Sequence, residues 1–256
     1  MEKPSSQAAA LGDIVQQAGK VAIASRAHMV RELKKDGSIV TNADRDAELF
    51  IRSELQRFIP GSTVWGEEFG HDGDSPDGLW LVDPIDGTSN FSFGSPLWGV
   101  SVALLKDGVI QLGAICLPDL GELYVAENEK GAFRNGSAMS PIPSGAVRNE
   151  ELVSYGDSVL KHHPDIGIPG RQRLSGAFVI DGTFTAMQRT RGLVGFRERL
   201  YDVAVCILLG AELGADVRYA DGATFDVQAL SQPVQIDKPW LIFPRDSGYF
   251  YPKPKD

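Results

Sequence analysis

The chain is short of cysteine, of long apolar runs and, over one stretch, of any cation, and each absence excludes a class of protein. Two cysteines in 256 residues, Cys116 and Cys206, both inside apolar stretches, leave no room for a disulfide framework or a CxxC metal site. They read as buried core residues of a protein kept in a reducing cytoplasm. No uninterrupted apolar run approaches the ~18 residues of a membrane span, and Asp13 breaks the segment where a signal peptide's apolar region would lie. Lys and Arg number 25 against 34 Asp and Glu, a formal charge of −9 with pI near 5.0. That balance argues against a nucleic-acid partner held by phosphate neutralisation. Neither a GxSxG elbow nor a Walker loop is present, so no serine-nucleophile or nucleoside-triphosphate chemistry is indicated. What remains is an ordinary globular composition, 43% hydrophobic, long enough for one large domain or two intimately packed lobes.

The third absence is the informative one. Between Phe58 and Leu105 there is no Lys or Arg, yet Glu67, Glu68, Asp72, Asp74, Asp77, Asp83 and Asp86 all fall there. Carboxylates gathered in a pocket repel and lose hydration, so they must be protonated, spread apart or neutralised by a cation. Within Asp83-Pro84-Ile85-Asp86-Gly87-Thr88-Ser89-Asn90 two of them sit three residues apart on a turn. Leu79-Trp80-Leu81-Val82 ahead of it reads as a buried strand, Pro84 keeps Asp83 extended, and Gly87 permits a tight path into Thr88 and Ser89. Main-chain N–H groups on such a turn can cradle an anion, which would bring carboxylates, a divalent metal and a phosphate together. The same residues are also ordinary turn formers, so a solvated acidic turn is the competing reading. Asp72, Asp74 and Asp77 do not make a calcium loop, because Pro76 and Asp77 fill its fifth and sixth positions. His162-His163-Pro164 has no partner at zinc-ligand spacing and reads as an exposed loop.

Periodicity predicts helices over about Gln7 to Ala27 and Ala43 to Phe58, the second capped by Thr41 or Asn42. Strands are expected at Trp98 to Leu105, Val109 to Cys116, Glu122 to Ala126 and, shorter, from Gly131. Ser140 to Arg148, with Pro141 and Pro143, is the expected lobe boundary, giving lobes 1–145 and 146–256. Beyond it come strands near Leu152 to Tyr155 and Leu193 to Phe196, and helices from about Gly176 to Gln188 and Asp202 to Leu213, the last stopped by Gly214.

Four separated segments together resemble the inositol monophosphatase family of metal-dependent, lithium-sensitive phosphatases. They are Asp36-Gly37-Ser38-Ile39-Val40-Thr41-Asn42-Ala43-Asp44, Trp65-Gly66-Glu67-Glu68, Asp83 through Phe91, and Tyr201-Asp202-Val203-Ala204, with Gly131 through Gly136 as a fifth, structural match. The resemblance implies an α/β (α+β) fold of five αβαβα layers, a homodimer, and hydrolysis of a small phosphate monoester. Carried over by position, Glu67, Asp83 and the carbonyl of Ile85 would ligate one Mg²⁺, and Asp83, Asp86 and Asp202 a second, with two or three ions in all and Mn²⁺ a possible substitute. A water activated by metal would be the nucleophile, its proton drawn toward Thr88, which Asp44 orients; Gly87, Thr88 and Ser89 would grip the phosphate.

The second half carries six arginines between positions 171 and 199 against only Asp181 and Glu198, and Arg173 and Arg197 are its candidate substrate contacts. Two departures concern the alcohol. Tyr201 stands where the family has tryptophan, and Gly195 where an acidic residue helps bind inositol hydroxyls. Inositol 1-phosphate is the leading substrate on this reading, with histidinol phosphate and sugar phosphates such as fructose 1,6-bisphosphate as alternatives and a catalytically idle partner-binding protein as the reading from another class. Gly195 predicts a broad pocket, unless Arg197 or Glu198 supplies the missing contact.

Overall fold

A computed structural model describes residues 3–252. Two helices open the chain, α1 (Ser6–Ser25) and α2 (Asn42–Phe58), with a small hairpin of β1 (Arg31–Leu33) and β2 (Ile39–Thr41) between them. Ser5 caps α1 by accepting from the Ala8 N–H at 3.1 Å, and Leu11, Val15, Ala18 and Ala22 form its buried stripe. Full burial of Leu11 or Val15 stabilises by about 1.5–3 kcal/mol each. Thr41 and Asp44 make a capping box at the start of α2, whose Ala43, Ala47, Ile51 and Leu55 share one buried face.

The large sheet follows as β3 (Thr63–Gly66), β4 (Gly70–His71), β5 (Leu79–Asp86), β6 (Gly99–Lys106), β7 (Val109–Leu117), β8 (Glu122–Glu127), β9 (Gly131–Arg134) and β10 (Ser137–Ala138), with the six-residue helix α3 (Thr88–Phe93) after β5. Its order is β10-β9-β8-β7-β6-β5-β3-β4, antiparallel throughout except for the parallel β3–β5 pair. Period-2 alternation divides its two faces. Trp80, Val82, Val100, Val102 and Ala114 join the core beneath α1 and α2, while Leu79, Leu81, Ala103, Ile115 and Leu117 face the opposite layer.

That layer comes from the second half of the chain. After β11 (Leu152–Tyr155), α4 (Val159–His162) and β12 (Arg171–Arg173), helix α5 (Phe178–Ala186), strand β13 (Gly192–Gly195) and helix α6 (Leu200–Glu212) lead to β14 (Asp216–Tyr219) and β15 (Trp240–Phe243). The five strands order as β12-β11-β13-β15-β14. Helices α5 and α6 lie between the two sheets, which is why Val203 through Gly210 are buried without a polar face. Gly113 lets α6 approach the large sheet, since a Cβ there would meet Val205 at 3.0 Å. The outer face of the small sheet (Val153, Tyr155, Val194, Leu241 and Phe243) packs under α4 and the loops carrying Ile166, Ile168 and Tyr249. The result is the five-layer αβαβα sandwich. No helix among the described residues is long and apolar enough to cross a membrane. His162 and His163 correct the loop expectation in part, because His162 closes the short helix α4.

Candidate active site

Strand β5 ends at the site. Asp83 lies in it with 3% exposure, and its Oδ1 accepts the Ile85 N–H at 3.1 Å. Gly87 then turns the chain at φ +86°, a left-handed conformation costly for any residue with a side chain. Space demands glycine there as well: a Cβ would stand 2.8 Å from Ala177 Cβ and 3.1 Å from the Leu97 carbonyl. From this turn the hydroxyl of Thr88 reaches Asp44 Oδ1 and the Ile85 carbonyl, each at 2.9 Å. Asp44 is itself fixed by its capping role, with Oδ2 accepting from Thr41 N and Oγ1 at 2.8 and 2.6 Å. One carboxylate therefore starts a helix and orients a hydroxyl.

Glu67, Asp83, the Ile85 backbone, Asp86 and Asp202 line one cleft of about 400 Å³, together with Gly87 and Thr88. Strand β3 supplies Glu67 just past its end, β5 supplies the next three, and Asp202 sits in the first turn of α6. Among the described residues, no three His, Cys, Asp or Glu side chains are gathered at metal-ligand spacing. Each carboxylate is instead held by a neighbour: Glu67 by Lys34 Nζ at 2.9 Å, Asp86 by the Val179 N–H at 2.5 Å, Asp202 by the Arg199 N–H at 2.6 Å.

Their electrostatics show how badly they need a counter-charge. Burial, and then the charges of Glu67, Asp86, Asp202 and Asp44, hold the Asp83 carboxyl well above the usual carboxylate range. Burial also pushes Asp86 up to about 7, against the Val179 hydrogen bond, and raises Asp202, with Glu67 adding to it. Asp44 is raised by burial despite its bonds to Thr41 and Thr88. Lys34 brings an ammonium to the site, bridging Glu67 and Glu68 at 2.9 and 2.7 Å from the end of β1. An all-oxygen donor set of mutually repelling, desolvated carboxylates is one that a hard divalent cation fits.

The second half of the chain forms the other side of the cleft, and two sequence expectations there and one on α3 need correction. Arg173 lies on the exposed edge strand β12, its Nη1 donating to the Gln172 carbonyl, and does not line the cleft. Ser89 is exposed on α3 and does not line the cleft. Gly195 is buried at the end of β13 and does not line it either; a Cβ there would stand 2.3 Å from Trp240 Nε1. Arg197 does line it, as does Glu198, the two residues offered as replacements for the contact missing at Gly195, and Asp157 and Asp181 line it too, though sequence reasoning had not placed them at the site. Burial pushes the Asp181 carboxyl up to about 8, and raises Glu198. Nothing in the local sequence marks Asp157, and Asp181 stood out only as a rare acid in an arginine-rich stretch.

A five-layer αβαβα sandwich with acidic residues converging at the end of β5 defines a phosphatase class. The chain belongs to the inositol monophosphatase family of metal-dependent phosphatases, whose sequence model matches residues 3–236. An inositol-1-monophosphatase of Rhizobium meliloti is 44% identical over 217 residues, 79% of this chain and 77% of that one. A histidinol-phosphatase of Chlorobaculum parvum is 46% identical, over 114 residues only, 44% of this chain and 43% of that protein. Among solved structures, the extragenic suppressor protein SuhB of Bartonella henselae superimposes with a TM-score of 0.77 at 25% identity, over 92% of both chains.

Proposed function

We propose that this protein hydrolyses a small phosphate monoester by attack of water, with Mg²⁺ held by Glu67, Asp83, the Ile85 carbonyl, Asp86 and Asp202. The observation that carries the reading is the buried Asp83, surrounded by acidic groups that raise its carboxyl and line one cleft with it. Bound Mg²⁺ would lower the pKa of water and offset charge on the leaving oxygen. The chain's own part is positional. Asp44, locked at the start of α2, orients the Thr88 hydroxyl, and this pair receives the proton of the attacking water. Backbone N–H groups at Gly87 and Thr88 hold the phosphate.

The alcohol is a small one, since the cleft is about 400 Å³. Inositol 1-phosphate follows from the family and from the Rhizobium relative's name, histidinol phosphate from the Chlorobaculum relative's. The proposed setting is the cytoplasm, in keeping with two buried free cysteines, and the homodimer is proposed from the family resemblance alone. Phosphate release should disappear with EDTA, return with Mg²⁺ and fall with millimolar lithium. Full turnover in metal-free buffer would refute the reading.

A further inference from the structure

Helix α3, which carries Thr88, cannot hold itself in place. Its six residues are fewer than a free helix needs in water, and it hangs between two left-handed glycines, Gly87 at φ +86° and Gly94 at φ +80°. On the cleft side the Thr88 hydroxyl bonds Asp44 and the Ile85 carbonyl. Behind it stands Phe91, only 1% exposed, whose N–H donates to the Gly87 carbonyl at 2.9 Å and so closes the turn containing Thr88. Thr88 and Phe91 lie about one helical turn apart, so a shift of the ring carries the hydroxyl with it.

What grips that ring is Arg26, the first residue after α1. Its guanidinium stands 4.6 Å from the centroid of Phe91 and 5.1 Å from that of Trp98, and the two rings meet edge to face at 4.7 Å. The same guanidinium forks onto Asp119, Nη1 to Oδ1 at 3.2 Å and Nη2 to Oδ2 at 2.5 Å, while Asp119 Oδ2 also accepts the Trp98 indole N–H at 2.6 Å. Trp98 lies beyond Gly94, so this one set of contacts spans α3 and its exit. Arg31 of β1 holds the residues that follow Phe91, donating to the Ser92 carbonyl and standing 4.8 Å over the Phe93 ring. As a surface ion pair, with side chains 29% and 24% exposed, Arg26 and Asp119 would contribute little. Stacked on the ring behind Thr88, the pair has a task. Neither arginine falls in the segments that carry the family resemblance.

We propose that Arg26 is a positioning residue for the reaction: acting through Phe91, and helped by Arg31, it fixes α3 so that the Thr88 hydroxyl keeps its place beside Asp44 and the attacking water. The inference rests on the role given to Thr88 in the phosphatase reading and extends it to a side chain that does not line the cleft.

Arg26→Met keeps an apolar stem and removes the cation with its fork. With Mg²⁺-loaded enzyme, assayed on whichever of inositol 1-phosphate and histidinol phosphate is cleaved, it should lower kcat about tenfold and move KM by less than about threefold, because orientation is lost and not binding. Arg26→Lys, which keeps a cation over the rings, should lower kcat only about threefold. In a Thr88→Ala background, where no hydroxyl is left to place, Arg26→Met should cost less than about twofold. A merely structural arginine would lower activity equally with and without the hydroxyl, so losses of the same size in the two backgrounds overturn the inference. An unchanged kcat in Arg26→Met overturns it as well. Should that variant fail to fold, Asp119→Asn takes its place, with a loss of about threefold expected; no loss, or the same loss in the Thr88→Ala background, overturns the inference. If the wild-type enzyme releases phosphate from neither ester, the phosphatase reading fails, and amide exchange still decides the anchoring. The α3 amides should then exchange about tenfold faster in Arg26→Met (in Asp119→Asn, should Arg26→Met not fold) than in wild type, with α1 unchanged. Equal exchange of α3 in the two proteins overturns it.

Discussion

The two sides of the cleft are both acidic, but they are built differently. On the β5 side Asp44, Asp83 and Thr88 each have a partner two or three residues away, at Thr41, Ile85 and Ile85, although Thr88 also reaches Asp44 and the carboxylates of Glu67 and Asp86 are held by the distant Lys34 and Val179. On the β13 side Glu198 depends on Trp240, 42 residues away, and on a turn pinned by Ile236. Local bonding makes the first side a fixed set of motifs suited to one chemistry. Long-range packing sets the second side, so changes in distant residues can shift it without disturbing the motifs opposite.

Breaking the first side should cost the most. Asp83→Asn is expected to reduce kcat by about a thousandfold or more, because the charge it removes is shared by the whole carboxylate group. In EDTA the same variant should melt no lower than wild type, and higher if relief of repulsion dominates, since it takes away a buried charge crowded by four others. A lower melting temperature in EDTA would show Asp83 to be structural. Next come Thr88→Ala and Asp44→Asn, each expected to lower kcat by about 10²–10⁴ with less effect on KM. Their double mutant should be little worse than either single one, and additive losses would mean that the 2.9 Å contact does not couple them.

The comparison sharpens where the two halves join. Glu122 of β8 accepts from Arg189 at 2.5 Å and from Arg134 at 2.6 Å, tying the loop after α5 to the large sheet. Burial alone would raise its carboxyl, but the bonds from Arg189, Tyr124 and Arg134 outweigh this and hold it at about 2. Folded below its unfolded value of about 4.3, it stabilises fully above that pH and loses its contribution as pH falls toward 2. Glu122→Gln should therefore cost about 2–3 kcal/mol at pH 7, at the low end for a buried pair because both arginines are about a third exposed. In acid melts the gap from wild type should close between about pH 5 and pH 2. The smallest effect is expected on the β13 side: Gly195→Ala forces a methyl against Trp240 and should cost about 1–2 kcal/mol. An unaltered melting temperature there would mean that the indole can move.

Legibility in the sequence follows the same division. The start of α2 after Thr41, the strand Leu152–Tyr155 and the stop of α6 ahead of Gly214 at φ +77° could be read from caps and periodicity. The hairpin β1–β2 could not, because all three residues of β1 are exposed and show no alternation. Nor could β15, four buried residues with no period to distinguish strand from loop. At the cleft, Asp44, Thr88 and the β5 carboxylates stood in recognisable segments. Gly195 misled because counting back from Asp202 follows the chain, whereas the turn at 196–199 brings Glu198 over that glycine in space.

Helix α6 has a consequence for motion. It carries Asp202 at its first turn and then runs through the core shared by both sheets, so its amides can open only when the whole molecule does. Glu67 lies beside β4 at the rim of the large sheet, leashed to a lysine at the end of the exposed strand β1. The carboxylates of one cleft therefore come from opposite ends of the protein's range of local stabilities. Hydrogen exchange should find α6 among the last amides to trade with solvent and the exposed strand β1 among the first, so that the cleft breathes from the Lys34 side while Asp202 stays still.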